Sequence, residues 1–130
     1  EQCLNHLAIT NGGSKKMAEK QTAGRDQLGE FAPKFAELND DVLFGEVWSR
    51  EELSPHQRSI ITLSALISEG NFEQLPAHLK IGKQNGITSE EIAEIITHLA
   101  FYVGWPKAWS AFSLAKEIYL EENSEDKKEA

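Results

Sequence analysis

From residue 25 onward, the apolar residues of this chain recur at intervals of three and four, the spacing of one face of a helix. The clearest stripe comprises Ile92, Ile95, Ile96, Leu99 and Val103. Residues 60–67 are apolar on nearly every side, which predicts a buried central helix. No segment alternates apolar and polar residues as a strand does. The pattern therefore predicts an all-α fold of five to seven helices.

Two capping boxes predict where helices begin. Ser54 precedes Pro55 and Gln57, and Thr88 stands three residues before Glu91. In each box the hydroxyl of the cap residue can accept a hydrogen bond from the backbone N–H three residues later. The side chain of that later residue can in turn accept one from the backbone N–H of the cap residue. Proline also suits the first position of a helix. Helices are therefore expected to start at residues 54–55 and 88–89.

The chain divides into three parts along its 130 residues. Residues 1–24 lack helical periodicity and are expected to form a flexible arm. Because the only methionine is Met17, residues 1–16 are interpreted as an upstream extension or a cloning remnant. Residues 25–120 form a single domain, and residues 121–130 form an acidic, solvated tail.

Charge and cysteine content narrow the function classes. The net charge of −8 disfavours non-specific nucleic-acid binding, because phosphates would be repelled. No apolar run approaches the length of a membrane span, and no secretion leader is evident. The one cysteine, Cys3, excludes a disulfide framework and favours a reducing compartment, so the cytoplasm is expected. A small anionic substrate would need a locally basic pocket in this acidic protein.

One histidine and two arginines are the main candidates for chemistry. His78 borders an apolar face, and its titration near neutrality suits a general acid or base. Arg50 and Arg58 could hold a carboxylated anion between them. The alternatives are structural: His78 as a hydrogen-bonded core or boundary residue, an ion pair of Glu46 with Arg50, and a pairing of Arg58 with Glu46 or a C-terminal carbonyl.

Other polar and aromatic residues carry weaker signals. Tyr102, Trp105 and Trp109 gather around a Gly-Trp-Pro helix break, where they could form substrate walls or core. His56 is expected to be exposed, and His98 is expected to pair with the carboxylate four residues earlier. No histidine, cysteine or carboxylate cluster has metal-ligand spacing, so no metal is expected. Without a phosphate loop, nucleophile elbow or paired cysteines, no cofactor is expected either.

Several segments, taken in order, resemble the carboxymuconolactone decarboxylase family. The resemblance is carried by Trp48-Ser49-Arg50, Leu53-Ser54, Arg58-Ser59, His78, Asn85-Gly86-Ile87-Thr88 and Tyr102-Val103-Gly104-Trp105-Pro106. It covers roughly residues 25–120. It implies an all-α fold of the alkylhydroperoxidase D type and a homo-oligomer, either a trimer or a hexamer. It also implies cofactor-free decarboxylation of a small carboxylated lactone such as γ-carboxymuconolactone.

The resemblance also suggests roles for individual residues. Arg50 and Arg58 would bind the carboxylates and stabilise enolate charge, and Glu46 would orient an arginine. His78 would donate the proton that captures the dienolate, or would polarise the lactone carbonyl. The walls of the substrate site would be Trp48, Tyr102 and Trp105.

Two alternatives to a decarboxylase remain. The wider family includes thiol peroxidases that use Cys-x-x-Cys shortly before the histidine. Here Asn71 and Gln74 stand seven and four residues before His78, and Cys3 lies in the arm, so redox activity is disfavoured. The other alternative is a non-catalytic, oligomeric small-molecule-binding protein. Gln74 also replaces a usual acidic residue and His56 a usual basic one, which leaves the substrate open.

Overall fold

The computed structural model describes residues 22–129, with side chains described up to residue 120. Its elements are α1 (Ala23–Leu28), α2 (Pro33–Glu37), a π-helix (Leu38–Val47), α3 (Pro55–Glu69), α4 (Leu75–Gln84), α5 (Ser89–Val103) and α6 (Trp105–Glu129). No strand occurs in this part of the chain, and the all-α prediction is confirmed. No helix within it is long and apolar enough to cross a bilayer.

The predicted terminal segments lie largely outside the described residues. Most of the expected arm, residues 1–21, is not described. Its last two residues, 23 and 24, are helical and open α1. The expected acidic tail continues the α6 backbone as helix up to Glu129. The division of the chain into arm, domain and tail therefore stays a prediction, apart from these two helical boundaries.

The main core lies between α3, α4, α5 and α6. Its buried residues are Leu63, Ile67, Leu75, Leu79, Ile87, Ile92, Ile96, Ala100, Ala108, Ala111, Ala115 and Tyr119. The prediction that α3 is buried on nearly all sides is wrong, because Ile61 is 54% exposed. The face of α3 that carries Leu63 and Ile67 packs inward. The opposite face, which carries Ile61, is not covered by any other helix of the described chain.

Both predicted capping boxes are formed. The Ser54 hydroxyl accepts from the backbone N–H of Gln57 at 3.1 Å, and the Gln57 side chain accepts from Ser54 at 2.9 Å. Thr88 and Glu91 make the same pair of bonds, at 3.1 and 3.2 Å. Gly70 ends α3 in the left-handed conformation, with φ of 74°. These caps place Arg58 in the first turn of α3.

A separate N-terminal layer consists of α1, α2 and the π-helix, which pack on one another. Trp48 follows this layer directly and is buried with Ile81 of α4, and Phe44 packs against both. The backbone N–H of Trp48 donates to the carbonyl of Leu43, five residues earlier, which is the π-helical pattern. The layer is therefore attached to α4 through a small aromatic cluster.

Candidate active site

His78 lies in the first turns of α4, where it meets the N-terminal layer. Its ring stacks on Trp48, with centroids 6.4 Å apart and planes 24° apart. Its Nδ1 is buried and has no hydrogen-bond partner among the described residues. Burial lowers the pKa of His78 below its usual value, because the charged imidazolium loses its hydration. Near neutral pH the ring is therefore neutral and has one uncommitted nitrogen.

A cavity of about 330 Å³ opens beside this ring. It is lined by Ala23, Gly24, Gln27, Leu28, Phe35, Asn39, Phe44, Glu73, Gln74, Ala77, His78 and Ile81. Apart from His78, the polar side chains are three amides and one carboxylate, that of Glu73. No lysine or arginine of the described residues lines the cavity. The expected basic pocket around His78 is therefore not formed by these residues.

Arg50 and Arg58 are attached to each other instead of to His78. A guanidinium nitrogen of Arg58 donates to the backbone carbonyl of Arg50 at 3.3 Å. The Nε of Arg58 is buried without a partner in the described part of the chain. Arg50 is exposed, and its Nε lies 3.4 Å from the carboxylate of Glu52. The carbonyl that Arg58 binds is not at a helix C-terminus, as the structural alternative expected, because Arg50 follows the end of the π-helix at Val47.

The expected ion pair between Glu46 and Arg50 is not formed, and Arg50 pairs with Glu52 instead. An i,i+4 ion pair requires one continuous α-helix. The helix is of the π type and ends at Val47, after which Arg50 donates its backbone N–H to Val47 in a turn. The two side chains therefore do not lie one helical turn apart, and this geometry gives no support to an orienting role for Glu46.

Trp48 links the candidate residues. Its ring contacts His78, and the backbone two residues further on accepts the bond from Arg58. Three buried side-chain polar atoms in the described residues lack a partner, and two of them belong to Arg58 and His78. Unpartnered buried groups are uncommon in folded proteins, and ligand sites are one place where they occur. This observation favours both residues as ligand-facing groups.

Tyr102 and Trp105 lie away from this cavity. Trp105 lines a second cavity of about 370 Å³ with Thr97, Ala100, Ala108, Trp109 and Phe112, and this lining shares no residue with that of His78. Tyr102 is 77% exposed and its ring lies tilted against that of His98, with centroids 5.1 Å apart and planes at 31°. The predicted wall of three aromatics is thus divided, and only Trp48 contacts His78.

Two further histidine predictions are wrong. His56 is half-buried, and its Nε2 lies 2.8 Å from the carboxylate of Glu91, so it connects α3 to α5. A backbone hydrogen bond from Thr88 and the contact with His56 lower the pKa of Glu91. His98 makes a tilted contact with the ring of Tyr102 instead of pairing with a carboxylate. Among the side chains that the structure describes, those of residues 22–120, no group of three or more histidine, cysteine or acidic residues could hold a metal ion.

Asp40 is only 1% exposed, although no pattern in the sequence marks it as a buried residue. Burial raises the pKa of this carboxyl, but hydrogen bonds from Asn39 and from the backbone of Arg25 and Gly24 outweigh burial and keep it below its usual range. The local signal was a polar triplet, residues 39–41, inside an apolar run. The triplet gives no indication that the carboxylate accepts hydrogen bonds from backbone N–H groups 15 and 16 residues earlier, which is what the structure shows.

Comparison with known proteins shows to which family the chain is related. The model of the carboxymuconolactone decarboxylase family matches residues 33–117. A 4-carboxymuconolactone decarboxylase of Acinetobacter baylyi is 34% identical over 94 residues, covering 72% of this chain and 70% of that protein. The nitrosuccinic acid decarboxylase npaB of Metarhizium robertsii is 33% identical over 81 residues, 62% of this chain and 57% of that protein. An uncharacterised 15.0 kDa protein of Paracoccus denitrificans is 30% identical over 87 residues, 65% of each chain. The chain therefore belongs to the carboxymuconolactone decarboxylase family.

Proposed function

We propose that this protein is a cofactor-free decarboxylase of a small carboxylated molecule, with the His78 cavity as its active site. Family membership and two relatives named as decarboxylases support the reaction class. The observation that carries the proposal is the uncommitted, buried ring nitrogen of His78 beside a cavity of about 330 Å³. A cavity of this size suits a small molecule.

The chemistry of such a reaction defines what the site must do. When the bond to the carboxyl carbon breaks, carbon dioxide leaves and the electron pair stays on the substrate. The unsaturated lactone of 4-carboxymuconolactone and the nitro group of nitrosuccinic acid can each take that pair onto an oxygen. A proton then adds to carbon. The protein must therefore stabilise the developing negative oxygen and supply the proton.

His78 can do both. Because its pKa is lowered by burial, the neutral ring retains one N–H that can donate a hydrogen bond to the charged oxygen. The same N–H can pass its proton to the substrate carbon while the second ring nitrogen takes a proton from water, so that the ring stays neutral and hydroxide is released to the solvent. Stacking on Trp48 fixes the plane of the ring, and therefore the direction of this bond.

The carboxylates of the substrate would be bound by two sets of donors. Gln27, Asn39 and Gln74 offer amide groups in the cavity itself. Arg50 pairs with the exposed Glu52, and an exposed pair of this kind can exchange partners at little cost. Arg58 has an unpartnered Nε. We propose that these arginines bind a carboxylate at the edge of Trp48, outside the cavity.

Catalysis is tested by measuring carbon dioxide release from 4-carboxymuconolactone and from nitrosuccinic acid by mass spectrometry. His78→Gln is expected to lower kcat by about a hundredfold or more, the usual effect of losing a general acid. His98→Gln is the control, since His98 is exposed and does not line the cavity. Equal turnover by wild type and His78→Gln would show that His78 is not catalytic. No release from either substrate would count against this pair of substrates.

A second candidate function is a non-catalytic small-molecule-binding protein, and one observation favours it. Among the residues that the structure describes, none places a cationic side chain in the His78 cavity, so the cavity also suits an uncharged ligand. Isothermal titration with small lactones separates the two functions: binding without turnover would favour the second. A thiol peroxidase has less support, since the sequence holds one cysteine and Gln74 lines the cavity.

We also propose that the protein is a homo-oligomer of three or six copies. Four aromatic side chains are exposed around the junction of α5 and α6: Phe101, Tyr102, Trp105 and Trp109. Monomeric proteins seldom expose a contiguous apolar patch of this kind. Light scattering should give a multiple of 14.5 kDa for the wild type, and a smaller mass for Trp109→Glu. A mass of one chain for the wild type would contradict this proposal.

A further inference from the structure

Helix α1 forms one wall of the His78 cavity, through residues that include Gly24, Gln27 and Leu28. It has six residues, far fewer than a helix needs to be stable alone in water. Its main packing partners are α2 and the π-helix. It also precedes residues 33–117, which match the family. Family membership therefore does not predict this wall, and its position depends on contacts within the N-terminal layer.

The carboxylate of Asp40 makes the decisive contact with α1. Its Oδ1 accepts from the backbone N–H of Gly24 at 2.8 Å, and its Oδ2 accepts from that of Arg25 at 2.9 Å. N–H groups in the first turn of a helix have no partner within the helix. Thr22, at the N-cap position, makes no side-chain capping bond. Asp40 therefore caps α1 from the π-helix, 16 and 15 residues away in sequence.

The surroundings of this carboxylate allow one position for α1. Asn39 donates to Asp40 at 2.9 Å, and the guanidinium of Arg25 lies 3.5 Å from it. A Cβ on Gly24 would lie 2.6 Å from the Asp40 Oδ1 and 3.0 Å from the carbonyl oxygen of Ala36. Apolar contacts tolerate sliding, whereas a buried carboxylate is costly unless its donors stay in place. The contact thus fixes where α1 lies as well as holding it.

We propose that Asp40 is a positioning residue of the candidate active site: by capping α1, it holds that helix as a wall of the His78 cavity. Loss of the carboxylate lets α1 move away, which opens the cavity to water and weakens substrate binding. The kinetic consequence rests on the proposed decarboxylase function. The effect on access to His78 does not.

The test compares two neighbouring substitutions of the same kind, Asp40→Asn and Asp41→Asn. Asp41 binds the guanidinium of Arg25 at 2.6 Å and is more exposed than Asp40. The readout is the rate at which diethyl pyrocarbonate modifies His78, followed by peptide mass spectrometry. Asp40→Asn should raise this rate by about tenfold or more, the effect of losing a hydrogen bond to a charged group. Asp41→Asn should stay close to wild type.

His56 supplies the internal control, since it is half-buried between α3 and α5, away from α1. Its modification rate should not change in either variant. Unchanged rates at His78 in Asp40→Asn would overturn the proposal. A parallel rise at His56 would also overturn it, because that result indicates general loosening.

A second variant keeps the proposal testable if Asp40→Asn does not fold. Gly24→Ala places a Cβ against the Asp40 carboxylate, and the same rise in the modification rate of His78 is expected from it.

In the decarboxylation assay, Asp40→Asn should raise KM by about tenfold with a smaller fall in kcat. A fall in kcat without a rise in KM would contradict the kinetic part. Since modification needs no substrate, a wild type that turns over neither substrate would count against that pair of substrates and still leave the role of Asp40 decided.

Discussion

Tyr119 provides a sharp test of how α6 is anchored. Its hydroxyl donates to the carbonyl oxygen of Ile87 at 2.8 Å, joining α6 to the turn between α4 and α5. Tyr119 is 6% exposed and Ile87 is 1% exposed, so water does not replace this bond easily. Tyr119→Phe removes the hydroxyl and keeps the ring. We expect the free energy of unfolding to fall by about 1–2 kcal/mol, the value of a buried hydrogen bond whose acceptor loses its donor.

For a domain of this size, such a loss lowers the thermal midpoint by roughly 4–10 °C. Tyr102→Phe is the matched control, because Tyr102 is the other tyrosine of the chain and is 77% exposed. Its effect should stay within about 0.5 kcal/mol. Urea denaturation should show a lower midpoint with an unchanged slope for Tyr119→Phe, and should be run at two protein concentrations to separate assembly from folding. A wild-type midpoint for Tyr119→Phe would refute the reasoning.

Two further predictions concern pH and capping. Because burial lowers the pKa of His78, the unfolded chain binds the proton first as the pH falls below about 6.5. The wild type should therefore lose more stability than His78→Gln between about pH 7.5 and 5.5 in urea titrations, and equal losses would argue against this burial. Thr88→Ala should lower the free energy of unfolding by about 1 kcal/mol, since it removes the cap of α5. The exposed neighbour Ser89→Ala should change it by less than about 0.5 kcal/mol, and equal effects of the two substitutions would contradict the capping role.

The helical framework could be predicted because its signals are local. A capping box involves residues three positions apart, so Ser54 and Thr88 could be identified without knowledge of the fold. The π-helix Leu38–Val47 could not be identified in this way, since its residues fit an ordinary α-helix equally well. Because this helix is of the π type and ends in a turn at Val47, Arg50 does not lie one α-helical turn after Glu46, and the expected ion pair is not formed.

The candidate site was predictable only in part, for the same reason. His78 could be selected from its position at the edge of an apolar face, and the structure shows it half-buried against Trp48. Its separation from the arginines depends on the turn after the π-helix, which no periodic pattern describes. The wall formed by α1 depends on Asp40, whose partners are 15 and 16 residues away. Contacts at that separation leave no periodic signal in a single sequence.

In the described part of the chain no cation lines the His78 cavity, and this bears directly on the proposed chemistry. An arginine beside the carboxylate that is to be lost would stabilise its charge in the ground state, and would therefore raise the barrier to forming neutral carbon dioxide. Apolar surroundings such as Leu28, Phe44 and Ile81 do the opposite, because they withdraw water from that carboxylate. Under the proposed function, a cation belongs at a second carboxylate that is retained. Arg50 and Arg58, which are hydrogen-bonded to each other and do not line the cavity, would be the residues for that task.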